Sequence, residues 1–82
     1  MPQLVEWTEE FRAELRRIDQ KTALRILQAI SRLALVQEGD VKKLHGIHPP
    51  AYRLRVGEYR ILFRKQGRGI VVFAVSTRQG SY

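Results

Sequence analysis

Cysteine is absent from the 82 residues, which excludes disulfides, thiolate-ligated zinc and a cysteine nucleophile. Long apolar runs are absent too. The longest is Ile70–Val75, six residues, far short of the roughly 20 that cross a bilayer, so no membrane segment is expected. The N-terminus shows no basic stretch followed by an apolar one, so no secretory leader is expected, and a cytoplasmic location fits. Proline is scarce at 3 residues, and no repeat, low-complexity tract or long linker interrupts the chain. A chain this short buries about 60–65% of its unfolded surface, which suffices for one modest core. A single domain over residues 1–82 is expected, with no separate cofactor domain and no cofactor. The 44% apolar and 28% charged residues are ordinary globular proportions.

The other scarcity is acid in the second half. Residues 1–40 carry six bases and seven acids, whereas residues 41–82 carry nine bases and only Glu58 as acid, a net of +8. Such density attracts polyanions and speeds their docking; a charge kept only for solubility is the plainer alternative.

The pattern along the chain changes period once. Gln3–Trp7 reads as a short strand of weak signal. Thr8 suits a helix N-cap, with Glu9 and Glu10 in the first turn, where the helix dipole favours anions. Phe11, Leu15 and Ile18 then form an apolar stripe. Asp19 suits the cap of a second helix running to about Gln37 and stopped by Gly39. Its apolar face is read as Ala23, Leu27, Ile30 and Ala34, widened by Leu24, Ile26, Leu33 and Leu35. Lys42–Pro50 has loop character. From Ala51 the period becomes 2: two alternating strands flank Gly57-Glu58, a two-residue turn of the II′ kind. After the turn Gln66–Gly69, the apolar run from Ile70 suits a strand covered on both faces. The order β-α-α-β-β-β predicts an α+β fold, a helical hairpin packed on one face of a four-stranded, largely antiparallel sheet.

A two-residue turn at 57 and 58 sets Val56 opposite Tyr59, Arg55 opposite Arg60, Leu54 opposite Ile61 and Arg53 opposite Leu62. Tyr52, Leu54, Val56, Tyr59, Ile61 and Phe63 then point to the helices, while Arg53, Arg55, Arg60 and Arg64 point away. Like charges directly opposite cost some tenths of a kcal/mol, and neither strand holds an acid. An external anion would supply the missing counter-charge, and the planar guanidinium grips phosphate in a bidentate fork. The alternative is a solvated face whose arginine stems cover apolar surface.

Other residues carry less. His45 and His48 lie in a loop without acidic or thiolate company, so no metal site is expected; a loop role is read for both, with contact to a nucleotide as the alternative. Trp7, Tyr52 and Tyr59 are read as core. Gly67-Arg68-Gly69 is a turn, not a phosphate loop, because no helix with Lys-Ser/Thr follows it.

The run Lys43-Leu44-His45-Gly46, the hairpin Tyr52-Arg53-Leu54-Arg55-Val56-Gly57-Glu58-Tyr59-Arg60-Ile61-Leu62-Phe63-Arg64 and the strand Ile70–Val75 resemble the RelE/ParE toxin superfamily of bacterial toxin–antitoxin systems. The resemblance covers essentially the whole chain. It implies the toxin of a type II system and an antitoxin partner forming a hetero-oligomer with it. RelE-like members are endoribonucleases that cut mRNA in the ribosomal A site; ParE-like members share the fold but poison DNA gyrase. Under the RelE-like reading, Arg60, Arg78 and Tyr82 occupy catalytic positions. Arg53 and Arg55 match two basic strand positions, and with Arg64, Lys42 and Lys43 they would contact RNA phosphates. Many close relatives have histidine before the late arginine, where this chain has Thr77. The chemistry implied is attack of a ribose 2′-hydroxyl on the scissile phosphate, with guanidiniums stabilising the pentavalent phosphate. Arginine is a poor base, so Tyr82 is the candidate; a free phenol titrates near about 10 and surrounding cations would lower that. The ribosome's RNA would complete the site.

Overall fold

The computed structural model describes residues 4–77. The elements run β1 (Leu4–Trp7), α1 (Glu9–Arg16), α2 (Gln20–Val36), β2 (Asp40–Lys43), β3 (Tyr52–Val56), β4 (Tyr59–Gln66) and β5 (Gly69–Thr77). The α+β class holds, but the sheet has five strands, ordered β1-β5-β4-β3-β2. Three neighbouring pairs are antiparallel, and β1 runs parallel to β5. The added strand is β2, whose Asp40, Val41, Lys42 and Lys43 are all exposed. It belongs to the sheet through backbone pairing with β3, from Asp40 opposite Arg55 to Lys43 opposite Tyr52. A charged edge strand leaves no apolar alternation to read, and the charges discourage pairing with another chain.

Both helices start where their capping residues place them. The Thr8 side-chain oxygen accepts from the Phe11 N–H at 3.2 Å, and its own N–H donates to the Val72 carbonyl at 3.0 Å, so one residue starts α1 and ties it to β5. Asp19 accepts from the Thr22 N–H at 3.0 Å. Its carboxyl lies below the usual carboxylate range because Thr22 hydrogen-bonds it, side chain first and backbone second. The α2 helix ends one residue before Gln37, which is left-handed at φ 57°, so the terminating turn falls at Gln37 rather than Gly39.

The core lies between the helices and one face of the sheet. Phe11, Ile26, Ile30 and Leu33 meet Leu54, Ile61, Phe63, Ile70, Val72 and Val75. Tyr52, Tyr59, Val56, Leu15 and Ile18 pack on its margin. The buried stripe of α2 is Ile26, Ile30, Leu33 and Ala34, while Leu24 and Leu35 are exposed. Trp7 also departs from expectation: it is 37% exposed and stacks on Phe11 with ring centroids 5.8 Å apart. Its place on the edge strand leaves one side of the indole uncovered. Gly69 lies opposite Leu4 in the parallel pair, and a Cβ there would fall 2.5 Å from the Leu4 carbonyl oxygen. Only glycine lets β1 approach β5 this closely.

Candidate functional site

The register of β3 and β4 is the one the turn dictates: Val56 faces Tyr59, Arg55 faces Arg60, Leu54 faces Ile61 and Arg53 faces Leu62. Gly57, the first central residue of the turn, has the positive φ of 61° that a II′ turn requires. Strand alternation therefore puts Arg53, Arg55, Arg60 and Arg64 on the face away from the helices. Beyond the hairpin, β2 sets Lys42 opposite Arg53, a second opposition of cations on the same face.

An open groove of about 300 Å³ lies on this face. Lys42, Lys43, Leu44 and His45 line one side; Arg53, Arg55, Arg60 and Leu62 complete it. Five of the expected RNA- or phosphate-contacting and catalytic residues thus converge on one concavity. Arg64 does not. It lines a separate cavity with Pro49, Pro50, Tyr52, Lys65, Gln66 and Val71, and its guanidinium sits 4.5 Å from the centre of the Phe73 ring. Arg78 and Tyr82 lie outside the described residues. The described chain ends at Thr77, opposite Tyr59, just after Ser76, which faces Arg60.

Two features of the face could not be read from the hairpin alone. First, an internal acid reaches it: Asp40 on β2 lies 3.7 Å from the Arg53 guanidinium. The counter-charge expected only from outside is therefore supplied in part by the chain, and Arg55 Nε also donates to the Gly57 carbonyl at 3.4 Å. Second, the face is not merely polar. Leu62 is 1% exposed and Ala74 9%, although alternation turns them away from the helices. Burying a side chain such as Leu62 contributes about 1.5–3 kcal/mol, while opposed arginines cost only some tenths. The fold thus tolerates Arg55 against Arg60 without any bound anion. Covering β5 on both sides, as its apolar run suggested, falls to the helices on one face and in part to Arg64 over Phe73 on the other.

His45 was read as a loop residue, yet it lines the groove. The loop after β2 is closed at its base by the Leu44 N–H, which donates to the Ala51 carbonyl at 3.0 Å. Only recognition of β2 as a strand beside β3 would have brought residue 45 alongside Arg53 and Arg55. Among the described residues no group of three His, Asp or Glu is placed to hold a metal, and no helix is long and apolar enough to cross a membrane.

The family model described as ParE toxin of type II toxin-antitoxin system, parDE, matches residues 5–82, nearly the whole chain. The chain belongs to this toxin family. It is a member of the RelE/ParE superfamily and the toxin of a type II toxin–antitoxin system. Solved structures share the toxin's fold. A chain of the archaeal RelE–RelB complex from Pyrococcus horikoshii OT3 is 22% identical with a TM-score of 0.79, over 99% of the toxin and 100% of that chain. A chain of the RelB–RelE antitoxin–toxin complex from Methanococcus jannaschii is 28% identical with a TM-score of 0.75, over 90% and 91%. A chain of the RelBE2 toxin–antitoxin complex from Mycobacterium tuberculosis is 20% identical with a TM-score of 0.82, over 98% and 95%. No curated protein matches the sequence.

Proposed function

We propose that this toxin is a ribosome-dependent endoribonuclease that cuts mRNA in the A site. The observation that carries the reading is the convergence of Lys42, Lys43, Arg53, Arg55 and Arg60 on one open groove, with the carboxylate of Asp40 beside Arg53. A groove of this size admits a phosphate with part of its ribose, and its guanidiniums suit the charge that accumulates on phosphorus in the transition state. In this reading Arg60 and Arg78 stabilise the pentavalent phosphate, and Tyr82 takes the 2′-hydroxyl proton. Arg53, Arg55, Lys42 and Lys43 hold the flanking phosphates, with Arg64 contributing at the far side of the same face. Positioning of the 2′-hydroxyl in line with the leaving oxygen falls to the ribosome's decoding site, so free RNA is cut very slowly. An acidic or amphipathic antitoxin would mask the groove in a hetero-oligomer, as the solved toxin–antitoxin complexes suggest, and the toxin would act in the cytoplasm.

A second reading is poisoning of DNA gyrase, and the match to the ParE model favours it. The groove would then be a docking surface rather than a catalytic one. Substitution separates the two. Arg60→Ala, Arg78→Ala and Tyr82→Phe are each expected to relieve growth arrest while circular dichroism shows an intact fold. Retention of full toxicity by all three variants would refute the nuclease site.

A further inference from the structure

In the nuclease reading the groove holds charge for the phosphate, and Tyr82 is assigned the 2′-hydroxyl proton, but nothing is assigned to protonate the leaving oxygen. Scission opens the P–O5′ bond with its electron pair moving to the 5′-oxygen, and that alkoxide needs a proton. The groups that face the cavity are Lys42, Lys43 and His45 from β2 and its following loop, Arg53 and Arg55 from β3, and Arg60 from β4. The carboxylate beside them, Asp40, is ion-paired with Arg53. Guanidinium gives up its proton only above about pH 12, and an ammonium ordinarily near about 10.4, so neither donates efficiently at neutrality. Histidine is the side chain whose ordinary titration falls between about pH 5 and 8, where an acid is most effective in proton transfer.

We propose that His45 is the general acid of the groove. The proposal rests on the nuclease reading. The step balances as follows. Tyr82 takes the 2′-hydroxyl proton, the 2′-oxygen bonds to phosphorus, and a 2′,3′-cyclic phosphate forms as the P–O5′ bond breaks. The His45 imidazolium then hands its proton to the departing 5′-oxygen, leaving a 5′-hydroxyl. Solvent reprotonates the imidazole and takes the proton from the phenol. The loop that carries His45 is anchored by the Leu44–Ala51 hydrogen bond, and the imidazole is exposed on the groove wall, free to meet a substrate laid across the arginines. Substitution there leaves the core untouched.

The test uses the full-length toxin, ribosomes programmed with a short mRNA, and single-turnover cleavage measured from pH 5 to 8. Two mRNAs are compared, one with the natural 5′-oxygen at the scissile bond and one with sulfur in its place, because a thiolate leaves without a proton. His45→Gln is expected to slow cleavage of the oxygen substrate by about 10²-fold, with half-saturation unchanged, and its rate is expected to keep rising with pH where the wild-type rate levels off. His45→Arg, which keeps a cation but cannot release a proton, is expected to be equally slow. Both variants are expected to cut the sulfur substrate at the wild-type rate. If the wild type cleaves and His45→Gln matches it on the oxygen substrate, or stays slow on the sulfur one, the role of His45 is overturned while the nuclease reading stands. If the wild type cuts neither mRNA at any pH, the nuclease reading fails and the assignment of His45 fails with it.

Discussion

Replacing Asp40 with asparagine should make the groove grip a polyanion more tightly, and more salt-sensitively. Five cations line the groove, and Asp40 lies 3.7 Å from one of them, Arg53. A single-stranded nucleic acid that meets all five therefore sees about four net charges. Each phosphate neutralised contributes about −0.7 to the slope of log affinity against log salt, so the wild-type slope is about −2.8. Between about 50 and 200 mM salt that slope costs about 50-fold in affinity. Asp40→Asn raises the effective charge to five and steepens the slope to about −3.5, a loss of about 130-fold over the same range. Arg55→Gln lowers it to three, with a slope of about −2.1 and a loss of about 20-fold. The Asp40→Asn difference is an upper limit, because Asp40 is largely exposed and water screens its hold on Arg53. Fluorescence anisotropy with a labelled 2′-O-methyl oligoribonucleotide, which offers no 2′-hydroxyl for attack, reads all three slopes. The same Arg55→Gln variant removes the opposition to Arg60 and should gain a few tenths of a kcal/mol in urea unfolding. Equal slopes for the wild type and both variants would show that these cations do not act together on one ligand and that the groove is not a polyanion site.

Three predictions concern the scaffold. Thr8→Ala removes the side-chain cap of α1 and the hydroxyl's 3.4 Å bond to the Phe73 carbonyl while keeping the backbone bond to Val72, and is expected to cost about 0.5–2 kcal/mol in urea unfolding; no change would mean that the backbone bond to Val72 holds α1 without the hydroxyl. Gly69→Ala places a methyl 2.5 Å from the Leu4 carbonyl and is expected to cost about 1–3 kcal/mol, with faster amide exchange along β1; unchanged exchange would refute the close approach. Because the Asp19 carboxyl is held below its usual range by Thr22, its contribution is complete above the unfolded carboxylate pKa of about 3.9 and is lost as pH falls through the lower folded value. Thermal melts below about pH 4 should therefore decline less in Asp19→Asn than in the wild type, and parallel declines would count against the cap.

How far the fold could be read follows from where the hydrophobic pattern is strong. The β3–β4 register was legible because a two-residue turn with glycine first permits one pairing, and that pairing puts every tyrosine and aliphatic residue of β3 on the core side. The β2 strand was not legible: Asp40, Lys42 and Lys43 give it no apolar face, and its place comes from backbone hydrogen bonds that composition does not record. Missing it hid both the Asp40–Arg53 pair and the position of His45. The β1 strand was expected, but its parallel partnership with β5 depends on Gly69 meeting Leu4, a contact far apart in sequence. The apolar face read for α2 contains all four of its buried residues, Ile26, Ile30, Leu33 and Ala34, but is too wide, because a helix rich in leucine and alanine offers more apolar positions than the sheet can cover and Leu24 and Leu35 stay exposed. The guanidinium face is legible from alternation, whereas alternation gives no sign that Leu62 on that face is 1% exposed.

Cutting of messages on the ribosome, the proposed function, would leave a signature in the cell. The most direct measurement is to induce the toxin alone in a bacterium and map mRNA 5′ ends within minutes, beside Arg60→Ala. New ends are expected to cluster inside codons of translated messages and to be absent with Arg60→Ala and absent from untranslated RNA. Growth arrest with intact messages and a DNA-damage response would contradict it and assign the groove to docking on gyrase.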